Sequence, residues 1–334
     1  MVSGKRLQKN GRSMRKRSID TYLALQKNLQ QYSIEKNKVL RIRDIDRLNT
    51  TRARIIERNY WERFYFGFTE FLYEKADDNY VGSQIKLLRA FFNYLNERME
   101  PAVGDFYKQF YATKEEVPVV VLYPERLNFL IYDKEFEKKL PKHLKKHKDM
   151  FVFGCSTALR FSDLVNLKPS NLEHLNNNVY VSYRSIKTST YTRVYLPDYA
   201  KDILKKYKRR KKSLFPPISN VNFNVAIKKI ALLAGWTEAV EKTRNKRGQP
   251  FAHFKDEKNT VNYRFCDLLA SHTMRRTAIT TMLLCGMNEM NVRIISGHKA
   301  NSTSFYRYVN YSDSFMDDEM EAFHERMKKR VFSE

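Results

Sequence analysis

The chain has 334 residues, 42% of them hydrophobic and 30% charged, enough for about two domains with real cores at roughly 150 residues each. Lys and Arg number 62 against 37 Asp and Glu, and the resulting net charge of +25 points to a polyanionic partner, with nucleic acid ahead of an anionic membrane surface. No run of about 20 apolar residues exists to span a membrane, the basic start MVSGKRLQKNGRSMRKR lacks the apolar core of a secretory signal, and Cys155, Cys266 and Cys285 are too few and too far apart for a disulfide scaffold or zinc knuckle, so the chain reads as intracellular.

Residues 1–17 carry Lys5, Arg6, Lys9, Arg12, Arg15, Lys16 and Arg17 with no acidic residue, which predicts a basic arm or the start of a basic helix. Ile19, Tyr22, Leu23, Leu25 and Leu29 then predict a helix from Ser18 to about Tyr32. Two further helices follow from Trp61, Phe64, Tyr65, Phe68, Phe71 and Leu72, and from Ile85, Leu88, Phe92 and Leu95. The intervening DDNYVGS reads as a turn with Ser83 as N-cap, and the aromatic density reads as core packing rather than a base-stacking surface. This helical region spans 18–110, with 101–118 connecting it to a second half that opens at Val119.

In that second half, VYVSY (179–183) and RVYLP (193–197) predict a β-hairpin, and most of the remainder reads as helix. The fold class is therefore mainly α with a small β-hairpin or sheet. KKYKRRKK (205–212), which includes Lys208, Arg209, Arg210 and Lys211, is either a solvated helix end or a grip on a phosphate backbone. The polar, basic stretch 242–262 lacks periodicity and reads as a loop or insertion, whereas Cys155 and Cys285 lie in apolar stretches and read as core residues.

No Walker loop, GxGxxG, HExxH or CxxC occurs, so the sequence offers no motif for a cofactor or a bound metal, and side chains alone must carry any chemistry. STALRFSDLVNL places Arg160 at a junction between helices, with Leu159, Leu164 and Leu167 as anchors and Ser162 as N-cap ahead of Asp163. In SHTMRRTAITTMLLC, Ser271 reads as N-cap, and His272 and Arg275 lie three apart on one helix face. IISGH ends a helix at Gly297 and presents His298 just beyond it, and NSTSFYRYV then offers Tyr306 and Tyr308. Singly, each of these is ordinary surface polarity, a cap or packing. Together, two arginines able to clamp phosphate oxygens, two histidines able to move protons and a phenol able to attack make a set suited to metal-free phosphoryl transfer.

This set resembles the tyrosine recombinases, or phage integrases, over about residues 15–315. TALRFSDLVNL is similar to the family's T-G-L-R-x-S-E-L-x-x-L box, SHTMRRTAIT to its H-x-x-R box, and ISGHKANSTSFYRY to its L-G-H box and nucleophilic tyrosine. IKTSTYTRVYLP is similar to the family's β-hairpin, whose lysine would be Lys187. The family tyrosine usually lies nine residues after the last histidine, whereas Tyr306 lies eight and Tyr308 ten after His298. The S-F-Y-R-Y run favours Tyr308 as nucleophile, leaving Tyr306 in a packing position. Ser296 replaces the usual Leu before Gly-His, a change expected to be harmless.

The resemblance implies a helical (SAM-like) DNA-binding domain over 18–110, a catalytic domain over 119–311, and a C-shaped clamp on double-stranded DNA. Tyr308 would attack the scissile phosphate between Arg160 and Arg275, with Lys187 as general acid, His272 assisting the tyrosine's proton and His298 bonding the phosphate, without metal or ATP. Phe315, Met316, Met320, Phe323, Met327 and Val331 recur at helical spacing, so 312–334 reads as a helix, which the family uses to dock onto a neighbouring protomer of a tetramer. An accessory DNA-bending protein and a cytoplasmic, nucleoid-associated location belong to the same expectation. The rivals are a type IB topoisomerase or hairpin-forming resolvase with the same chemistry, an inactive DNA-binding relative, and a general nucleic-acid chaperone.

Overall fold

The computed structural model describes residues 11, 13–42, 50–98, 104–256, 258, 260–299, 302, 305, 306, 308, 321, 324 and 327. Two compact units emerge, one of residues 1–117 with 241–254 and one of 118–240 with 255–334. Among the described residues no helix is long and apolar enough to cross a membrane.

Unit 1 is built on helices α1 (Lys16–Glu35), α2 (Thr51–Tyr73) and α3 (Asp78–Arg98). Thr50 starts α2 by accepting a hydrogen bond from the Ala53 amide (3.1 Å). The predicted aromatic positions do pack inward: Trp61, Phe64, Phe68, Phe71 and Phe92 are buried with Leu25 and Tyr32. Their rings meet mainly edge to face, as with Trp61 and Phe92 at 5.0 Å, the arrangement favoured by aromatic quadrupoles. Two expectations are corrected here. DDNYVGS is the first part of α3, and Asp77 caps it by accepting from the Tyr80 amide (3.2 Å), leaving Ser83 inside the helix. The stretch 101–118 is more than a connection, because a 3₁₀ turn at Phe106–Gln109 brings Tyr107 and Phe110 into the aromatic core.

Unit 2 opens with α4 (Pro124–Tyr132), α5 (Lys134–Lys139), α6 (Lys142–Thr157) and the single turn α7 (Phe161–Leu164). An antiparallel sheet of β1 (Leu172–Leu175), β2 (Asn178–Arg184) and β3 (Tyr191–Tyr195) follows, in that order. The predicted hairpin is β2–β3, with Arg184 opposite Tyr191, while β1 was not legible because LEHL has neither alternation nor a β-branched residue. Then come α8 (Asp198–Lys206), α9 (Asn220–Leu233) and the short strand β4 (Ala239–Val240). The core around α6 gathers Met150, Phe153, Leu159, Leu164, Val181, Leu196, Phe215 and Phe223.

The chain next enters unit 1 as a hairpin of β5 (Thr243–Lys246) and β6 (Gln249–Ala252), which corrects the first part of the 242–262 loop reading, while the described residues of 253–262 lie in no helix or strand. Arg247 and Gly248 turn it with φ of 53° and 77°, the positive pair that two-residue hairpins need. The turn is seated on Asp78, whose carboxylate accepts from the Arg247 amide (2.8 Å), the Gly248 amide (2.9 Å) and the Tyr73 hydroxyl (2.8 Å). Arg247 also pairs with Glu70, and Arg244 with Asp77 at 3.7 Å. Burial first, then the hydrogen bond to Asp78, pushes the Tyr73 phenol up to about 12.

Unit 2 resumes with β7 (Tyr263–Arg264), which pairs with β4, and with α10 (Phe265–Leu268), α11 (Ser271–Leu284) and α12 (Glu289–Ser296). Helices α6 and α11 lie close enough that a Cβ on Gly154 would meet Met274 Sδ at 2.5 Å. Cys155 is buried as expected, but Cys285 is exposed, because it follows the last residue of α11 where the helix leaves the core. Of the C-terminal stretch 312–334 expected to form a helix, Glu321, His324 and Met327 lie among the described residues, and all three are helical.

Candidate active site

The geometry begins at the end of α6. Ala158 takes a left-handed conformation there (φ 55°, ψ 17°), turning the chain so that Arg160 precedes α7 in extended backbone. Arg160 itself is the N-cap position of α7, so Ser162 lies inside the turn and caps nothing. The carbonyl freed at Ala158 accepts from Arg275 Nη1 at 2.8 Å. Arg275 reaches it from α11, a helix whose start is held by two groups. The Ala270 amide donates to Thr273 Oγ1 (3.1 Å) and the Ser271 amide to Asn224 Oδ1 (2.7 Å), so Ser271 is the first helical residue and not the cap.

Arg275 is 1% exposed, and burial, then the nearby Arg160, lowers its guanidinium to about 10, still charged at neutral pH. Arg160 Nη1 donates to Ser185 Oγ (3.2 Å), which donates onward to Asp163 Oδ2 (3.1 Å). The other Asp163 oxygen accepts the Ile186 amide at 2.9 Å. Asp163 thus ties the root of the β2–β3 turn, and with it exposed Lys187, to the segment that carries Arg160.

His272 lies one turn before Arg275 on α11 and keeps part of its surface open to solvent. Desolvation, then Arg276, Arg275, Arg160 and Lys187, lowers its imidazole to about 4. His298 follows α12 as the sequence reading expects. Gly297 ends the helix with φ 62°, and the His298 amide donates back to Arg293 O (2.9 Å) while the Gly297 amide donates to Ile294 O (3.1 Å), a Schellman pair. Half-buried His298 sits 3.3 Å from Arg275 Nη2, and burial, then Arg275, Arg160, Arg293 and His272, lowers it to about 3.

Of the two tyrosines, Tyr306 is placed differently from expectation. Tyr308 is buried, with its ring 6.0 Å from those of His298 and Phe305, and its phenol interacts electrostatically with Arg275. Tyr306, expected to pack, is 50% exposed, with the Arg293 guanidinium 5.0 Å from its ring. This follows from helical turning: Phe305 and Tyr308, three apart, share the inward face with Ile279 and Val292, so Tyr306 points outward.

Arg160, His272, Arg275, His298 and Tyr308 form a cluster in unit 2, and Lys187 acts electrostatically on His272. Within it Asp163 is the carboxylate that shapes the field on Arg275, so the site is electropositive and suited to an anion. Asp163, Ser185, Asn224 and Ser296 were not singled out as functional from the sequence; only their contacts, 22 to 47 residues away in three of the cases, show what they hold. The basic residues lie elsewhere. Arg15, Lys16 and Arg17 are exposed at the start of α1, and Lys208, Arg209 and Lys211 are exposed after α8, with Arg210 half-buried and reaching Ser213 at 3.5 Å. Lys5, Arg6 and Arg12 lie outside the described residues.

The family model for the phage integrase family matches residues 132–314, over half of the chain. The chain belongs to that family, the tyrosine-type site-specific recombinases. No curated protein matches it. Among solved structures it is similar in fold to the XerH site-specific recombinase in a post-cleavage complex with a palindromic difH substrate, at 14% identity and TM-score 0.54 over 78% of this chain and 72% of that one. A lambda integrase dimer bound to a COC′ core site matches at 16% identity and TM-score 0.52, covering 88% and 89%. The Tn1549 transposon integrase in complex with transposon right end DNA matches at 16% identity and TM-score 0.50, covering 90% and 99%. The expected mainly-α fold with a small β region agrees with these neighbours.

Proposed function

We propose that this chain is a DNA recombinase or integrase that cuts and rejoins duplex DNA through a 3′-phosphotyrosyl intermediate, in the service of a mobile element or phage. The observation that carries the reading is the convergence of buried Arg275, Arg160, two neutral histidines and the buried Tyr308 phenol in one electropositive site. Tyr308 Oη attacks the scissile phosphorus and the 5′-oxygen leaves. The phenol's proton passes through His272, and Lys187 on the hairpin gives a proton to the leaving oxygen. Arg160 and Arg275 hold the non-bridging oxygens, and preorganised charge in a water-poor site stabilises the extra negative charge of the transition state. A 5′-hydroxyl from a partner strand reverses the step, so the bond energy is kept and these side chains need neither ATP nor a metal.

Unit 1, the arm residues Arg15, Lys16 and Arg17, and the cluster Lys208–Lys211 supply phosphate contacts in this reading, with binding that weakens steeply with salt. A homo-tetramer on DNA, tail exchange through 312–334, an accessory bending protein and a nucleoid location in the cytoplasm belong to the same proposal. The test incubates the protein with nicked duplexes drawn from the DNA flanking its gene, beside a random-sequence library, and maps any covalent adduct by mass spectrometry. An adduct on Tyr308, lost in Tyr308→Phe and kept in Tyr306→Phe, supports the assignment. An adduct on Tyr306 moves the nucleophile, and tight DNA binding without any adduct overturns the catalytic reading.

A further inference from the structure

Ser296 is fully buried at the last residue of α12, where the family box usually has leucine. Its Oγ lies 2.6 Å from the Val292 carbonyl and 2.7 Å from His298 Nδ1. A hydroxyl has one proton to give, and a carbonyl can only accept. The proton therefore goes to Val292, and the contact with Nδ1 is a hydrogen bond only if Nδ1 donates its own. The contact with Arg275 accommodates the same arrangement. Its Nη2 lies 3.3 Å from both ring nitrogens, and a guanidinium only donates, so the nitrogen that meets it offers a lone pair. With Nδ1 committed to Ser296, that nitrogen is Nε2.

We propose that Ser296 is a positioning residue that holds neutral His298 with its proton on Nδ1 and a lone pair on Nε2, so that His298 bonds a phosphate oxygen only after taking up a proton. The groups facing the ring are Arg275 and His272 from α11, Arg160 from the turn before α7, Arg293 from α12, and the rings of Phe305 and Tyr308. Burial, and then the four of these that are cations or imidazoles, keeps the ring neutral. A bound phosphodiester adds negative charge against Nε2, and one proton from solvent then makes both ring nitrogens donors, Nδ1 to Ser296 and Nε2 to the phosphate in place of its contact with Arg275. The leucine usual in the family offers no acceptor to Nδ1, so this coupling is a property of the serine.

The tautomer is read without DNA, from the ring nitrogen shifts and couplings of ¹⁵N-histidine-labelled protein, with His298 assigned by His298→Gln. A proton on Nδ1 in the wild type, moving to Nε2 in Ser296→Ala, supports the proposal. A proton on Nε2 in the wild type overturns it, and this spectrum decides the matter even where a variant fails to fold. The second reading rests on the proposed reaction and uses DNA affinity with Tyr308→Phe as the background, so that binding alone is followed. Affinity in that background falls as pH rises, by up to about tenfold per pH unit where one proton must be taken up. Adding Ser296→Ala flattens the fall, and Ser296→Thr, which keeps the hydroxyl, restores it. Equal slopes in all three proteins overturn the coupling. Complete loss of DNA binding in the background protein strikes the proposed function instead and leaves the tautomer result standing.

Discussion

Removing the Asp78 carboxylate tests what seats the β5–β6 hairpin on unit 1. Asp78 is 4% exposed and accepts three hydrogen bonds, from two backbone amides of the hairpin turn and from the Tyr73 hydroxyl. A hydrogen bond to a charged acceptor is worth about 1.5–3 kcal/mol net, and a donor left buried without a partner costs about 1–3 kcal/mol. Three such bonds set an upper value near 9 kcal/mol, but Arg247 is largely exposed and its amide regains water once the turn lifts. We expect Asp78→Ala to cost about 3–5 kcal/mol, and Asp78→Asn, which keeps one acceptor oxygen, about half of that. Urea unfolding gives the stability, and amide exchange at Arg247 and Gly248 reports the site itself. Both amides should exchange much faster in Asp78→Ala than in the wild type. Unchanged exchange at these two positions, with an unchanged urea midpoint, would refute the reasoning, because it would mean that β5–β6 pairing and the Arg247–Glu70 and Arg244–Asp77 ion pairs hold the turn without Asp78.

Two further predictions concern the site. Ala158→Val places a β-branched side chain at φ 55° in a fully buried position, and should lower stability by about 2–4 kcal/mol, whereas Ala158→Gly trades backbone relief for a lost methyl and should stay within about 1 kcal/mol of the wild type; thermal melts compare the three. His272 and His298 are held below the ordinary histidine value of 6.5, at about 4 and about 3, so the unfolded chain binds more protons than the folded one between those values and 6.5. Their contribution is intact above about pH 6.5 and is lost as pH falls through that window, by up to about 1.4 kcal/mol per pH unit for His298 and less for the more open His272. Excess sulfate should soften this loss by raising both histidines, and a melting temperature that does not change from pH 7 to about pH 5 would contradict it.

What could be read from the sequence is what helical and strand periodicity or a local box carries. The Trp61–Leu72 and Ile85–Leu95 stripes became the aromatic core, and the boxes around Arg160, His272 and His298 came to one site. What escaped depends on partners distant in the chain. Asp77 took the capping role assigned to Ser83 because cap preference is shared by Asp and Ser, and only backbone geometry separates them. Ser271 and Ser162 looked like caps for the same reason. Ser296, read as harmless against leucine, is buried on the ring nitrogen of His298, a contact two residues away that depends on the left-handed turn at Gly297. The exposure of Tyr306, expected to pack, turns on which face of the last described helical turn meets Ile279 and Val292, information that neighbouring aromatic residues do not encode.

The hairpin also sets an order of events in synthesis. Unit 1 begins at the N-terminus, but its last piece is residues 241–254, so Asp78 meets its two backbone partners only after the intervening segment of unit 2 has been made. At about 5–20 residues per second, the roughly 140 residues between 117 and 254 take about 7–28 s, during which α1–α3 must persist without their clasp. A fragment cut after residue 117 remains permanently in that incomplete condition, with the Asp78 carboxylate facing no turn. A gene-splitting experiment that respects the linear halves of this sequence would therefore divide the molecule through the middle of a domain.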